Sequence, residues 1–255
     1  MTTRAETTAH RGGPSPAGQL ALLGAAATAA APAVARSSSL VRDQALRLAG
    51  DLLEADAAAI LEANGRDLER ASASGLDATA LDRLTLSDAR LAAMAAGLRQ
   101  VAQLPDPVGQ VVDGWVRPNG LRVRRVRVPL GVVGVIYENR PNVTSDAAGL
   151  CLKAGNAVLL RGSSSALASN VAVAERLRAA LAHVGLPPGA VGLVTETDRE
   201  TAVAFMQLRG VIDCLVPRGG SDLIATVRDH ATVPYVEDGD GNCHVYVDRA
   251  ADLEM

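Results

Sequence analysis

The chain has 255 residues and a formal net charge of −3, a balance that argues against a strongly basic nucleic-acid binder. Hydrophobic residues make up 48% of it, but 47 residues are Ala and only five are aromatic, so the core must rest on Val, Leu and Ile, and an aromatic-lined binding surface is not expected. Three cysteines, Cys151, Cys214 and Cys243, are too few and too scattered for a disulfide framework or a four-ligand metal cage, so the reading is no metal site and a reducing, cytoplasmic compartment.

Residues 1–16, rich in Thr, Gly and Pro, read as a disordered tail. Ala17 to Ala35 carry no charge, follow Arg4 and Arg11 and end in Ala33, Val34 and Ala35, which imitates a secretory leader. The segment has much Ala and few Leu, and Pro32 interrupts it, so the expectation is an Ala-rich helix rather than an exported or membrane-spanning one. From Ser39 to about Arg70, Leu40, Leu46, Leu48, Leu52, Leu53, Ile60 and Leu61 recur at helical spacings, which predicts one amphipathic helix. Ser87 is an N-cap candidate for another, stopped by Pro105 and Pro107. Residues 17–110 therefore read as a helical layer.

The period then changes to two. Val111 to Val116 and Leu121 to Val128 read as a β-hairpin at 111–128, with Asn119 and Gly120 supplying the positive φ angles of a tight turn. The adjacent Arg124 and Arg125 predict a bulge between them. Five Arg from 117 to 127 could grip phosphates, but without interleaved aromatics the plainer reading is a solvated or oligomer-facing ribbon. Of the 25 basic residues, 24 are Arg and one is Lys153, so a single Arg carries less meaning here than usual.

After Pro129, short apolar runs alternate with helical stretches. Strands are expected at Gly131 to Tyr137, Ala157 to Leu160, Val191 to Val194 and Ile212 to Val216. Helices are expected at Val143 to Lys153, Ala166 to His183, Arg199 to Met206 and Asp222 to His230. Such alternation predicts an α/β fold with a doubly wound parallel sheet. Two more strands are expected at Val233 to Glu237 and Cys243 to Val247, then a helix from Ala250.

No GxGxxG follows a strand and no GxxxxGK[ST] occurs, so the common dinucleotide and P-loop patterns fail. An apolar strand followed by Arg, Gly and Ser and then a helix does occur, twice. The first copy gives Arg161, Gly162, Ser163 and Ser164, and the second Arg218, Gly219, Gly220 and Ser221. At the carboxyl edge of a parallel sheet each helix begins with unsatisfied N–H groups and a positive dipole end, so either turn could hold an anion. For one copy alone a capped tight turn is the plainer reading; the repetition favours a nucleotide. The strand end at 136–144 adds Asn139, an amide able to stabilise an oxyanion, and Arg140, able to receive a carboxylate or phosphate. Asp238, Asp240 and Asn242 alternate as in a calcium loop, but Gly241 and the missing downstream Glu spoil the pattern. Cys243 and His244 suggest a thiol–imidazole pair, yet strand neighbours point to opposite faces.

Several blocks stand in one order: LDRLT at 81–85, LRQVA at 98–102, LPDPVG at 104–109, VRVPLGVVGVIYE at 126–138, RPNVT at 140–144, LKAGNA at 152–157, PRGG at 217–220 and GDGNCHVYVD at 239–248. Together they resemble the glutamate-5-semialdehyde dehydrogenases, or γ-glutamyl phosphate reductases, of the aldehyde dehydrogenase superfamily, over about Leu20 to the end. The resemblance implies an aldehyde-dehydrogenase-like fold whose Rossmann-like NADP-binding domain occupies 129–255, with 111–128 as an oligomerisation ribbon in a homo-oligomer. It implies NADPH-dependent reduction of L-glutamyl 5-phosphate to glutamate 5-semialdehyde and phosphate in proline synthesis, through a Cys thioester, with neither nucleic acid nor membrane as a partner.

On this sequence Asn139 falls at the superfamily's oxyanion amide and Glu237 at its general base. Arg161 falls near the adenosine ribose, and Gly219, Gly220 and Ser221 near the pyrophosphate. One departure stands out: the family's nucleophilic Cys follows Gln-Arg-Pro-Ser, and no such block occurs. The chain is therefore expected to be an amino-terminal portion, inactive as given. The alternatives are a non-catalytic nucleotide-binding or scaffold protein, and an RNA binder using the Arg ribbon.

Overall fold

The computed structural model describes residues 16–237 and 243–252; the expected tail lies outside them save for Pro16, which opens α1. Five helices come first. They are α1 (Pro16–Arg36), α2 (Ser39–Ala55), α3 (Ala57–Ala73), α4 (Ala78–Leu84) and α5 (Asp88–Gln103). The single helix expected over 39–70 is two, broken at Asp56, whose Oδ2 accepts from Arg176 Nε at 2.8 Å. Ser87 does cap α5, its Oγ accepting from Arg90 N at 3.2 Å. The short α4, which periodicity does not reveal, is capped by Asp77, whose Oδ1 accepts from Ala80 N at 2.7 Å.

The hairpin β1 (Val111–Val116) and β2 (Arg122–Val126) forms as expected, with two corrections. The register shift lies on the first strand, between Val111 and Asp113, not between Arg124 and Arg125. Of Asn119 and Gly120, only Gly120 has a positive φ, +84°. Its N–H donates to Arg117 O at 2.8 Å, while Asn119 stays in ordinary backbone space and its Oδ1 accepts from Leu121 N at 3.2 Å. One left-handed residue after a Pro-led turn is a longer hairpin loop than the two-residue form.

The α/β layer follows, as β3 (Val132–Tyr137), α6 (Asn142–Lys153), β4 (Ala157–Arg161), α7 (Leu167–His183), β5 (Val191–Leu193), α8 (Arg199–Met206), β6 (Cys214–Arg218) and α9 (Ser221–His230). The sheet order is β5-β4-β3-β6, all parallel. Every residue of β3 is buried, as a central strand covered on both faces requires. The chain winds outward through α6 and α7, then crosses back to β6 through α8, so right-handed crossovers put these helices on opposite faces.

α2 and α3 pack on α7, and α5 on α2 and α6, whereas α1 packs on β4, β5 and α8. α1 is long and apolar enough to cross a membrane by length and composition, but its Leu20, Ala27, Ala30 and Val34 are buried in the core, and it runs through Pro32 unbroken. Gln19 on α1 reaches Thr195, 176 residues on, with a 2.5 Å side-chain hydrogen bond.

Of the two later strands, 233–237 reduces to one parallel bridge, Tyr235 to Leu215, beside β6. Cys243 to Val247 is not a strand: it has no sheet partner among the described residues, and Val245 and Tyr246 are exposed. Residues 249–250 form a turn, and 251–252 are not helical; the rest of the helix expected from Ala250 lies outside the described residues, as do Asp238, Asp240 and Asn242.

Candidate active site

In the parallel register Ile136 of β3 faces Arg161 of β4, and Tyr137 faces Arg218 of β6. Three strand-to-helix turns therefore open side by side at the carboxyl edge, where open α/β sheets bind ligands.

In the turn after β4 the helix terminus is already filled. Asp67 of α3, fully buried, accepts from Ala168 N at 3.2 Å (Oδ1) and from Ser169 N and Ser169 Oγ at 2.7 Å (Oδ2), and pairs with Arg70. A carboxylate of the protein thus takes the N–H groups of α7 that a phosphate would need. Ser163 Oγ accepts from Ser165 N at 3.3 Å in the short 3₁₀ turn ahead of α7, and Ser164 is exposed. Gly162 is buried, and a Cβ there would collide with Asn170 Nδ2 and approach the Tyr137 ring at 3.0 Å. Its role in this structure is close packing. Arg161 points to the β5–α8 connection: Nη2 donates to Thr197 O at 2.7 Å and Asp198 O at 3.1 Å, and Nε is buried without a partner. Desolvation lowers its pKa from the usual arginine value, opposed by nearby Asp198.

The turn after β6 is filled differently. Glu138 Oε1 accepts from Gly220 N at 2.9 Å at the start of α9, and a Cβ on Gly219 would lie 2.7 Å from the same carboxylate. Glu138, Arg218, Gly219, Gly220 and Ser221 are all exposed, so this internal anion, unlike Asp67, can yield to an external one.

The third turn, between β3 and α6, carries Asn139 and Arg140. Asn139 Nδ2 donates to Ala80 O of α4 at 3.0 Å. An amide has two N–H groups, so this bond fixes its plane and leaves the second donor. Arg140 is exposed.

Two adjoining cavities flank these turns. One, of about 720 Å³, lies between β3, α6 and β6, lined by the apolar Val133, Val135, Val143, Ala147, Leu150, Cys151 and Val216 and by Glu138, Arg140, Arg218, Gly219 and Gly220. The other, of about 500 Å³, lies between α4, α5 and the start of α6, and shares Arg83, Arg140, Asn142 and Asp146 with the first. The structure thus joins the Arg218 and Arg140 turns over one cavity, while Asn139, Arg161 and Ser221 line neither. Glu237 is exposed, just after the segment bridged to β6. Sequence reasoning missed Asp67, Glu138 and Arg83. The first two make long-range contacts that no local pattern encodes, and Arg83 sits on α4, whose only signal was an Asp at its N-cap.

No buried thiol here is a nucleophile. Burial pushes Cys151 up to about 12, with Cys214 adding to the shift, and burial also raises Cys214; at neutral pH both are protonated and inert. Alkylation at mildly alkaline pH is expected to modify exposed Cys243 rapidly and the other two only after unfolding. Peptide mass spectrometry checks this; equal rates for Cys151 and Cys243 would contradict the burial.

Residues 15–255 match the model of the aldehyde dehydrogenase family. The chain belongs to that family. Within it, the chain is 51% identical over 230 residues to the gamma-glutamyl phosphate reductase of Syntrophomonas wolfei, covering 90% of this chain and 55% of that protein. The crystal structure of gamma-glutamyl phosphate reductase from Thermotoga maritima superposes with a TM-score of 0.86 at 42% identity, covering 92% of this chain and 57% of the other. That from Saccharomyces cerevisiae gives 0.78 at 31%, covering 95% and 61%. The chain spans about half the length of the curated relatives it matches. The aldehyde-dehydrogenase-like α/β fold is that of these structures.

Proposed function

We propose that this chain supplies the cofactor layer and part of the substrate pocket of a reductase that converts L-glutamyl 5-phosphate into L-glutamate 5-semialdehyde and phosphate, in proline synthesis, with NADP(H) as cofactor. The observation that carries the reading is the 51% identity to a gamma-glutamyl phosphate reductase across 230 residues.

The carboxyl edge suits an anionic nucleotide on two counts. Arg161 Nε is a buried donor without an acceptor, and the start of α9 already receives a carboxylate from an exposed side chain that can leave. Arg161 would stand by the ribose, and Gly219, Gly220 and Ser221 by the pyrophosphate. Arg218 would add charge there, and Ser163 and Ser164 would line the neighbouring turn, with Gly162 holding it tight against Tyr137. When bound, the cofactor supplies a hydride.

Asn139 would donate its second N–H to the oxygen of the reacting acyl group, preorganised by Ala80 O. Arg140 would bind the substrate's charged end. Release of phosphate consumes no water, so Glu237 is given no water-activating step. The exposed ribbon β1–β2, with Trp115, Val116 and Val126 bare, would join copies of the protein, and three free cysteines suit a reducing cytoplasm.

The purified chain is expected to bind NADPH weakly, followed by nicotinamide fluorescence, and Arg161→Ala to weaken binding about tenfold, the worth of one charge-assisted contact. Unchanged affinity would remove Arg161 from the cofactor site. Reduction of NADP⁺ by glutamate 5-semialdehyde and phosphate is expected to be absent with this chain alone, because Cys151 and Cys214 are buried thiols and the exposed Cys243 lines neither cavity. Turnover would show that the thiol assignment is wrong.

A further inference from the structure

Arg83 on α4 and Arg140 before α6 line both cavities. Both are exposed, and neither side chain has a hydrogen-bond or ion-pair partner among the described residues. Arg90, on the same cavity, is committed: it pairs with Asp82 at 2.8 Å and donates to Thr85 O at 2.8 Å, tying α4 to α5. Two uncommitted guanidinium forks on one cavity suit a planar carboxylate, which such forks bind through paired hydrogen bonds. The same cavity also carries an anion. Asp146 Oδ2 accepts from Asn142 Nδ2 at 2.9 Å, leaving Oδ1, which lies 3.9 Å from where a Gly97 Cβ would be, directed at α5. Desolvation raises the Asp146 pKa, opposed by the bond from Asn142, so a cation beside it would relieve the carboxylate.

Two arginines alone would also suit a phosphate, but a carboxylate on the same cavity repels a dianion and attracts an ammonium. We propose that this cavity takes the head group of an α-amino acid, with its carboxylate on Arg83 and Arg140 and its ammonium on Asp146. This deepens the reading above and rests on it for the identity of the amino acid, an acylated glutamate.

Calorimetric titration of the 255-residue chain with three probes tests it. L-glutamate is expected to bind, while glutarate, which lacks the ammonium, and N-acetyl-L-glutamate, which masks it, bind at least tenfold more weakly. Arg83→Ala and Arg140→Ala are each expected to lose tenfold or more for L-glutamate, with Arg83→Lys recovering part. Because these side chains have no protein partner, the variants should unfold at the wild-type temperature. Asp146→Asn is expected to weaken L-glutamate but leave N-acetyl-L-glutamate unchanged, which general damage to the fold would not do. Absence of L-glutamate binding by the folded chain, full affinity in both Ala variants, or glutarate binding as tightly as L-glutamate would each overturn the assignment. Titrating NADPH into the same samples separates the two claims. Glutamate binding without NADPH binding removes the cofactor reading and keeps this site, and the converse removes this site alone.

Discussion

Lys153→Met is expected to lower the unfolding free energy by about 3–5 kcal/mol, the cost of stranding a buried charge by removing its partner. Lys153 is 4% exposed at the end of α6, and its ammonium donates to Asp43 Oδ1 of α2 at 2.6 Å and to Ala102 O of α5 at 3.0 Å. In a chain that otherwise uses Arg, the one Lys stands where a compact ammonium meets two acceptors on different helices. A planar, longer guanidinium does not fit that geometry, so Lys153→Arg is expected to destabilise as well. Urea unfolding measures both. The discriminating variant pairs Lys153→Met with Asp43→Leu, which removes both charges and should regain most of the loss; no recovery would mean that packing rather than charge is at stake.

Asp67→Ala is expected to cost a similar amount, about 3–5 kcal/mol. It removes the acceptor for the Ala168 and Ser169 N–H groups and the Ser169 hydroxyl, all in the first turn of α7, and Ser169 is fully buried, out of reach of bulk solvent. An exposed N-cap is worth about 1 kcal/mol; this cap works inside the core and across two layers. Asp67→Asn keeps the shape and should lose less. A loss under roughly 1 kcal/mol for Asp67→Ala in thermal or urea unfolding would mean that α7 finds another cap.

The α/β alternation was legible because each strand is a short apolar run and each helix follows a turn residue; β3 reads VVGVIY and is buried throughout. The helical layer was legible as helix but not as architecture. Arg42, Asp43 and Asp67 look like the wet face of an amphipathic helix, yet all are buried, because α2 and α3 are covered on more than one side: Arg42 and Asp43 pair with distant Asp106 and Lys153, and Asp67 accepts from the distant Ala168 and Ser169 N–H groups besides pairing with Arg70. The turns at Arg161 and Arg218 were visible as a repeated pattern. That one is closed by Asp67 and the other lightly held by Glu138 depends on contacts 101 and 82 residues apart, beyond any window of local sequence. The strand expected at 243–247 failed for a related reason: its alternation is right, but among the described residues it has no neighbour to pair with.

The placement of α1 bears on how the chain is made. α1 leaves the ribosome early, but the surface that covers its apolar side, built from β4, β5 and α8, includes Thr195, 176 residues behind Gln19. At typical elongation rates of about 5–20 residues per second that wait lasts roughly 10–35 s. Until then the longest uncharged stretch of this chain has nothing to pack its apolar side against. An interior of Ala rather than Leu keeps its stickiness low during that interval, at the cost of weaker packing once the sheet arrives.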